Sequence, residues 1–232
     1  MKRKALLAWS SGKDSAWTLH LLRQSRDYEV VALLTTVNTA SGGAAMHETS
    51  RELLAAQAGE TGLPLWEALI PWPCSNECYD AVMRGICERA RSEGIEAIAF
   101  GDLFLEDIRR YREERLAGTG LTPIFPVWGL DTRRLAEEMI AAGVKARIVA
   151  VDLTKLPASC AGRDLDPEFL KQLPGDADPC GENGEFHTFV YDGPMFRNAV
   201  PVGSGATIER DGFARTELHL REPSPCRTTV TS

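Results

Sequence analysis

A chain of 232 residues with 44% apolar content is long for one small domain and short for two full ones, yet rich enough for a sizeable core. Its formal net charge of -7 supplies no field to hold a polyanion, which excludes duplex DNA as the principal ligand. Only the short run from Ala5 to Trp9 follows the basic start Met1-Lys2-Arg3-Lys4, so no signal peptide or membrane span is expected and the setting is read as cytoplasmic.

Buried-strand patterns fall at Lys4 to Trp9, Glu29 to Thr36, Leu63 to Ile70, Ile95 to Phe100 and Ala146 to Val151. Between them Asp14 to Gln24, Thr49 to Glu60, Asn76 to Ser92 and Asp131 to Ala142 carry helical spacing, with Gly62, Gly94 and Gly143 as C-terminal stops. Alternation of this kind predicts an α/β fold with a doubly wound, mostly parallel sheet over residues 1–152. From about Val151 the prolines at 157, 167, 174, 179, 194 and 201 break the alternation, and a smaller irregular subdomain is expected over 153–222. In it Ala206 to Arg210 and Phe213 to Leu220 flank Asp211-Gly212, a turn suited to a β-hairpin; residues 223–232 read as a disordered tail.

The six cysteines are too few for a disulfide scaffold. Cys74 and Cys78 have a spacing found in metal sites, but no second pair completes four ligands, and no metal site is expected there.

The first strand runs into Ser10-Ser11-Gly12-Lys13-Asp14-Ser15 and then a helix, which gathers backbone N–H groups and a positive helix end into an anion site. Gly12 permits close approach, Lys13 supplies a cation, and three serine hydroxyls are available as donors to phosphate oxygen. A Walker A loop requires glycine where Leu7 stands and Ser or Thr where Asp14 stands, so that reading fails. The segment resembles instead the PP-loop of N-type ATP pyrophosphatases, usually SGGKDS, with Ser11 in place of the first glycine of the pair. That resemblance implies a fold of the adenine nucleotide alpha hydrolase-like type. Ligands of such sheets lie outside the carboxyl ends of the strands, and the superfamily holds adenine there, which makes Val37, Met46 and Gly101 purine neighbours.

The match extends to Gly101-Asp102, to Asp107-Ile108-Arg109-Arg110-Tyr111-Arg112-Glu113, to Pro126-Val127-Trp128-Gly129 and to Gly181-Glu182-Asn183-Gly184-Glu185-Phe186-His187-Thr188. Together these resemble the diphthine–ammonia ligase family over roughly residues 4 to 220. The resemblance implies a ligase that adenylates a carboxylate with ATP and Mg2+, transfers ammonia, and releases AMP and pyrophosphate. Its acceptor is diphthine, a modified histidine on an elongation factor, or another small carboxylic metabolite. A homodimer is compatible with this reading.

For the arginine-rich segment, spaced ion pairs on a solvated helix compete with a role for Arg110 or Arg112 on the triphosphate, Asp107 and Glu113 facing the substrate. Asp102, at a strand end, is suited to positioning magnesium or polarising ammonia. In the loop from Gly181, Glu182 and Glu185 are candidates to orient ammonia and accept its proton, and Gly184, His187 and Thr188 to bind the second substrate or phosphate. Two rivals remain: a nucleotide sensor without chemistry, and sulfur transfer to tRNA through Cys74, Cys78, Cys160 and Cys180. The acidic, histidine-bearing loop speaks against the first and the lack of a basic tract against the second.

Overall fold

The computed structural model describes residues 1–39 and 49–221; Met46 and the tail lie outside them. Five parallel strands form the first sheet: β1 (Arg3–Ala8), β2 (Tyr28–Asn38), β3 (Leu65–Ile70), β4 (Ala97–Ala99) and β5 (Thr122–Ile124), in the order β3-β2-β1-β4-β5. Each is followed by a helix: α1 (Lys13–Gln24), α2 (Arg51–Thr61), α3 (Asn76–Ser92), α4 (Glu106–Leu116) and α5 (Thr132–Ala141). Caps fix where the helices begin, since the side chains of Ser50, Ser75 and Asp131 accept the backbone N–H three residues on. α1 begins differently, at Gly12, which has no side chain to cap it.

The sheet is wound on both faces. Ala16, Leu19, Leu54, Ala136 and Met139 bring α1, α2 and α5 into one core, while Cys87, Ala90 and Leu116 bring α3 and α4 into another with Leu34, Trp66 and Ile98. Chain order reverses beside β1, so the loops after β1 and β4 diverge there and leave a crevice, the place where open α/β sheets take ligands.

The second sheet is antiparallel, with β6 (Lys145–Asp152), β7 (Phe186–Asp192), β8 (Val202–Arg210) and β9 (Phe213–Leu220) in the order β7-β6-β9-β8. One short helix, α6 (Pro167–Gln172), lies in the connection between β6 and β7. The strand expected at Ala146 to Val151 is β6, but it belongs to this sheet and not to the parallel one. It runs between β7 and β9 with Ala146, Ile148 and Val151 in the main core and Val149 against Phe189 and Leu53, so both faces are covered. Such a strand has the same continuous apolar run in either kind of sheet. The fifth parallel strand is instead β5, three residues around Pro123 at the sheet edge, where a missing N–H is tolerated. The hairpin expected around Asp211-Gly212 is present as β8 and β9.

Candidate active site

The turn after β1 is held from behind by the second sheet. Thr188 Oγ1 accepts the Lys13 backbone N–H at 3.1 Å, and the Val190 N–H donates to Ser11 O at 2.9 Å, so β7 runs along the loop like an extra strand. Ser11 has φ 67° and is fully buried. A side chain in that left-handed region costs about 1–2 kcal/mol, which is where glycine usually sits. Ser15 Oγ donates to Gly12 O at 2.9 Å and lies 3.1 Å from Ser10 Oγ, knitting the turn to the first residues of α1. Gly101, just past β4, packs so closely on this turn that a Cβ would stand 3.0 Å from the Asp14 carbonyl carbon. The loop and the end of β4 therefore form one surface.

Lys13 is buried, and its ammonium points back into the protein. Nζ donates to Asp14 Oδ2 at 2.8 Å and to Cys180 O, over the face of Phe186. Burial by itself lowers an ammonium pKa, but Asp14 beside it, together with Cys180 and Glu182, raises it by more and holds Lys13 above its ordinary value. Burial pushes Asp14 up, only partly offset by Lys13, and its Oδ1 is buried without a hydrogen-bond partner.

The loop from Asp178 to Glu185 lies against the turn and the β4–α4 connection. Glu182 Oε1 accepts the Leu103 N–H at 2.8 Å, which pins the loop to the β4–α4 connection. Burial drives the Glu182 carboxyl up to about 7 against the lowering effect of that N–H, with the charge of Asp14 adding to the rise. Glu185 plays another part: it is buried, and its Oε1 accepts from Asp178 N at 2.9 Å and Asn183 Nδ2 at 3.2 Å. Asp178 Oδ2 in turn accepts the Glu182 N–H at 2.8 Å. The crevice beside β1 thus unites a phosphate-type loop, a strand-end glycine and a carboxylate that titrates near neutrality.

Residues 1–122 match the family model described as the diphthamide synthase N-terminal domain, and residues 131–217 the model described as the diphthamide synthase C-terminal domain. The chain belongs to the diphthamide synthase family. A Bos taurus protein named diphthine–ammonia ligase is 31% identical over 156 residues, 59% of this chain and 58% of the relative. The Homo sapiens protein of that name is 31% identical over 144 residues, 56% of this chain and 54% of the relative. One from Schizosaccharomyces pombe is 27% identical over 120 residues, half of this chain but 20% of the relative. Against the bovine and human proteins the chain spans little more than half of their length.

Within this member of the family, α4 divides its arginines. Arg112 makes a forked pair with Asp102, Nε to Oδ2 at 2.6 Å and Nη2 to Oδ1 at 3.2 Å, and stacks on Phe100. Arg109 lies over Phe125 and Trp128 and pairs with Glu113 at 2.8 Å. Arg110 is exposed, as are Asp107 and Glu113. Arg109 and Glu113 thus form the spaced pair expected on a solvated helix, whereas Arg112 pairs off the helix with the strand-end Asp102. Val37 is buried in β2, half-buried His187 lies opposite Ala150 in the β6–β7 register, and half-buried Gly184 turns within the loop.

Three contributors escaped the sequence reading: Thr49, Gln57 and Asp178. Thr49 Oγ1 lies 3.3 Å from Ser11 Oγ, and Gln57 is wholly buried against the loop. A glutamine on the apolar stripe of α2, between Leu54 and Ala58, was the available signal. No helix among the described residues is long and apolar enough to cross a membrane.

Proposed function

We propose that the protein is an ATP-dependent ligase that converts a carboxylate into an amide with ammonia, and that diphthine is its acceptor, in line with the name of its bovine and human relatives. The observation that carries this reading is the loop 178–185 folded onto the PP-loop, with a near-neutral carboxylate, Glu182, at the mouth of a phosphate-type turn.

In this reading the N-terminus of α1, the hydroxyls of Ser10 and Ser15 and the exposed Arg110 receive the triphosphate, while the strand ends at Val37 and Gly101 border the adenine. The acceptor carboxylate attacks the α-phosphorus, the bond to the β-phosphate breaks, and pyrophosphate departs along the loop. Ammonia then attacks the activated carbonyl carbon and AMP leaves. Nitrogen must shed a proton in that step, and Glu182 is the group poised to take it, because a base works best with a pKa near the working pH. Lys13 holds the Cys180 carbonyl, and with it the acidic loop, against Asp14, so the same cation orders both halves of the site.

Mg2+ fits one observation in particular, the buried and unpartnered Asp14 Oδ1. When bound with the nucleotide it supplies charge neutralisation for the departing pyrophosphate. No group of three or more His, Cys, Asp or Glu among the described residues is placed to hold an ion, so phosphate oxygens would complete its shell. A cytoplasmic setting suits thiols such as Cys180, kept reduced there.

The test is product analysis with ATP, ammonium and either diphthine-bearing elongation factor or small carboxylic acids. AMP and pyrophosphate formed only with the factor support the proposal. ADP and orthophosphate would sink it, and turnover with a small acid alone would reassign the acceptor.

A further inference from the structure

Gln57 stands 46 residues from Ser11 in sequence, yet its side-chain amide is buried directly behind the phosphate-type turn. Oε1 accepts the indole N–H of Trp9 at 3.0 Å, while Nε2 donates to Ser11 O at 3.0 Å and to Val190 O at 2.6 Å. The orientation of the amide follows from its partners, because an indole N–H only donates and a carbonyl oxygen only accepts. A flipped amide would set like against like at all three contacts. Both donors of the carboxamide are used, and its partners belong to three elements: the end of β1, the turn itself and β7.

Ser11 is the residue on which these contacts converge. It is held in the left-handed region at φ 67°, its carbonyl receives N–H groups from both Val190 and Gln57, and its hydroxyl meets that of Thr49 at 3.3 Å. Removing the amide would leave the Trp9 donor and the Val190 carbonyl buried without this partner and would leave the carbonyl of Ser11, a residue whose backbone prefers another conformation, to the Val190 N–H.

We infer that Gln57 is a positioning residue for the nucleotide: by joining Trp9, Ser11 and Val190 through one buried amide it fixes the left-handed turn that aims the start of α1 at phosphate. This rests on the reading that the turn binds ATP. If the amide merely filled space between α2 and β7, its shape alone would matter, and its donors would not.

The experiment measures ATP affinity of the full chain by calorimetry for wild type, Gln57→Glu, Gln57→Leu and Gln57→Leu with Ser11→Gly. Glutamate keeps the outline of glutamine but, when ionised, turns an acceptor toward two carbonyls; protonated, it regains one donor. Its affinity is expected to fall about tenfold at mildly alkaline pH and to recover toward wild type as the pH drops. None of Trp9, Ser11 or Val190 titrates, and Lys13 and Asp14 are common to both proteins and cancel in the ratio. Glycine at position 11 adopts the turn without being held, so the double variant is expected to bind ATP more tightly than Gln57→Leu. Should Gln57→Leu fail to fold, the pH series of Gln57→Glu decides by itself. Wild-type affinity in Gln57→Glu at every pH, or a loss that pH does not alter, overturns the inference alone. A wild-type chain that binds no ATP overturns the nucleotide reading and this inference with it.

Discussion

The two sheets reach the same crevice by different means. The parallel sheet places its loops by topology, since every β-to-α connection emerges at one edge, so the Ser10–Ser15 turn after β1 and Gly101-Asp102 after β4 become neighbours, with Gly101 packed directly on the turn. The antiparallel sheet has no such edge and contributes through individual latches: Thr188 to Lys13, Val190 to Ser11, Cys180 to Lys13 and Glu182 to Leu103. One half of the site is placed by the fold and the other by a few bonds, so point substitutions should damage the second kind of placement more selectively.

The largest effect tests the latch that joins both halves. Lys13→Ala leaves the Asp14 carboxylate and the Cys180 carbonyl without their buried cation, and a loss of about 3 kcal/mol in unfolding free energy is expected, the low end for a broken buried pair because Asp14 keeps some access to water. Denaturant titration measures it, and an unchanged midpoint would show that the two halves are held together elsewhere.

Glu182→Gln sharpens the comparison on the chemical side. Turnover should fall at least about 100-fold while ATP affinity stays within about twofold, since the carboxylate belongs to the loop and not to the turn. With Glu182 as the proposed base, the wild-type rate should decline as pH drops below about 7, because its raised pKa leaves it protonated there. That limb should vanish in the variant; a limb that survives assigns the base to another group.

A smaller effect is expected from Arg112→Lys. Lysine keeps the charge but loses the fork on Asp102 and the stacking on Phe100, for a destabilisation of about 1 kcal/mol readable as a lowered melting temperature. No change would mean that the pair is solvent-screened and that Asp102 is placed by β4 alone.

The smallest test lies at the far hairpin. Gly212 has φ 79°, so Gly212→Ala should cost about 1 kcal/mol, the low end for a left-handed side chain, while nucleotide binding and turnover remain as in wild type. A loss of activity would mean that β8 and β9 reach the site, contrary to a second sheet that acts through β7 and the loop before it.

Much of this was legible from residue order, for reasons that differ by element. The turn from Ser10 to Ser15 and the hairpin at Asp211-Gly212 are local, and their residues specify backbone conformation within a few positions. α4 has few apolar residues and little helical stripe, so resemblance, not periodicity, singled it out; its arginines turn out to lean on Phe100, Phe125 and Trp128. Glu185 had been a candidate for proton handling beside Glu182, and sequence alone does not separate them. The structure gives the two different partners, Glu185 being bonded to Asp178 and Asn183 and Glu182 to Leu103.

By itself the sequence determined the alternation of β1 to α3, the stops at Gly62, Gly94 and Gly143, and the strand-turn-helix setting of Ser10 to Ser15, because each depends on side chains a few residues apart. Tertiary structure alone decided that β6 joins the second sheet, that Gln57 stands behind Ser11, and that Lys13 faces Cys180 and not open space. The partners of β6 stand 35 to 65 residues away, and the Gln57–Ser11 and Lys13–Cys180 bonds span 46 and 167 residues, so nothing in a local pattern of residue types encodes which distant carbonyl a buried donor will meet.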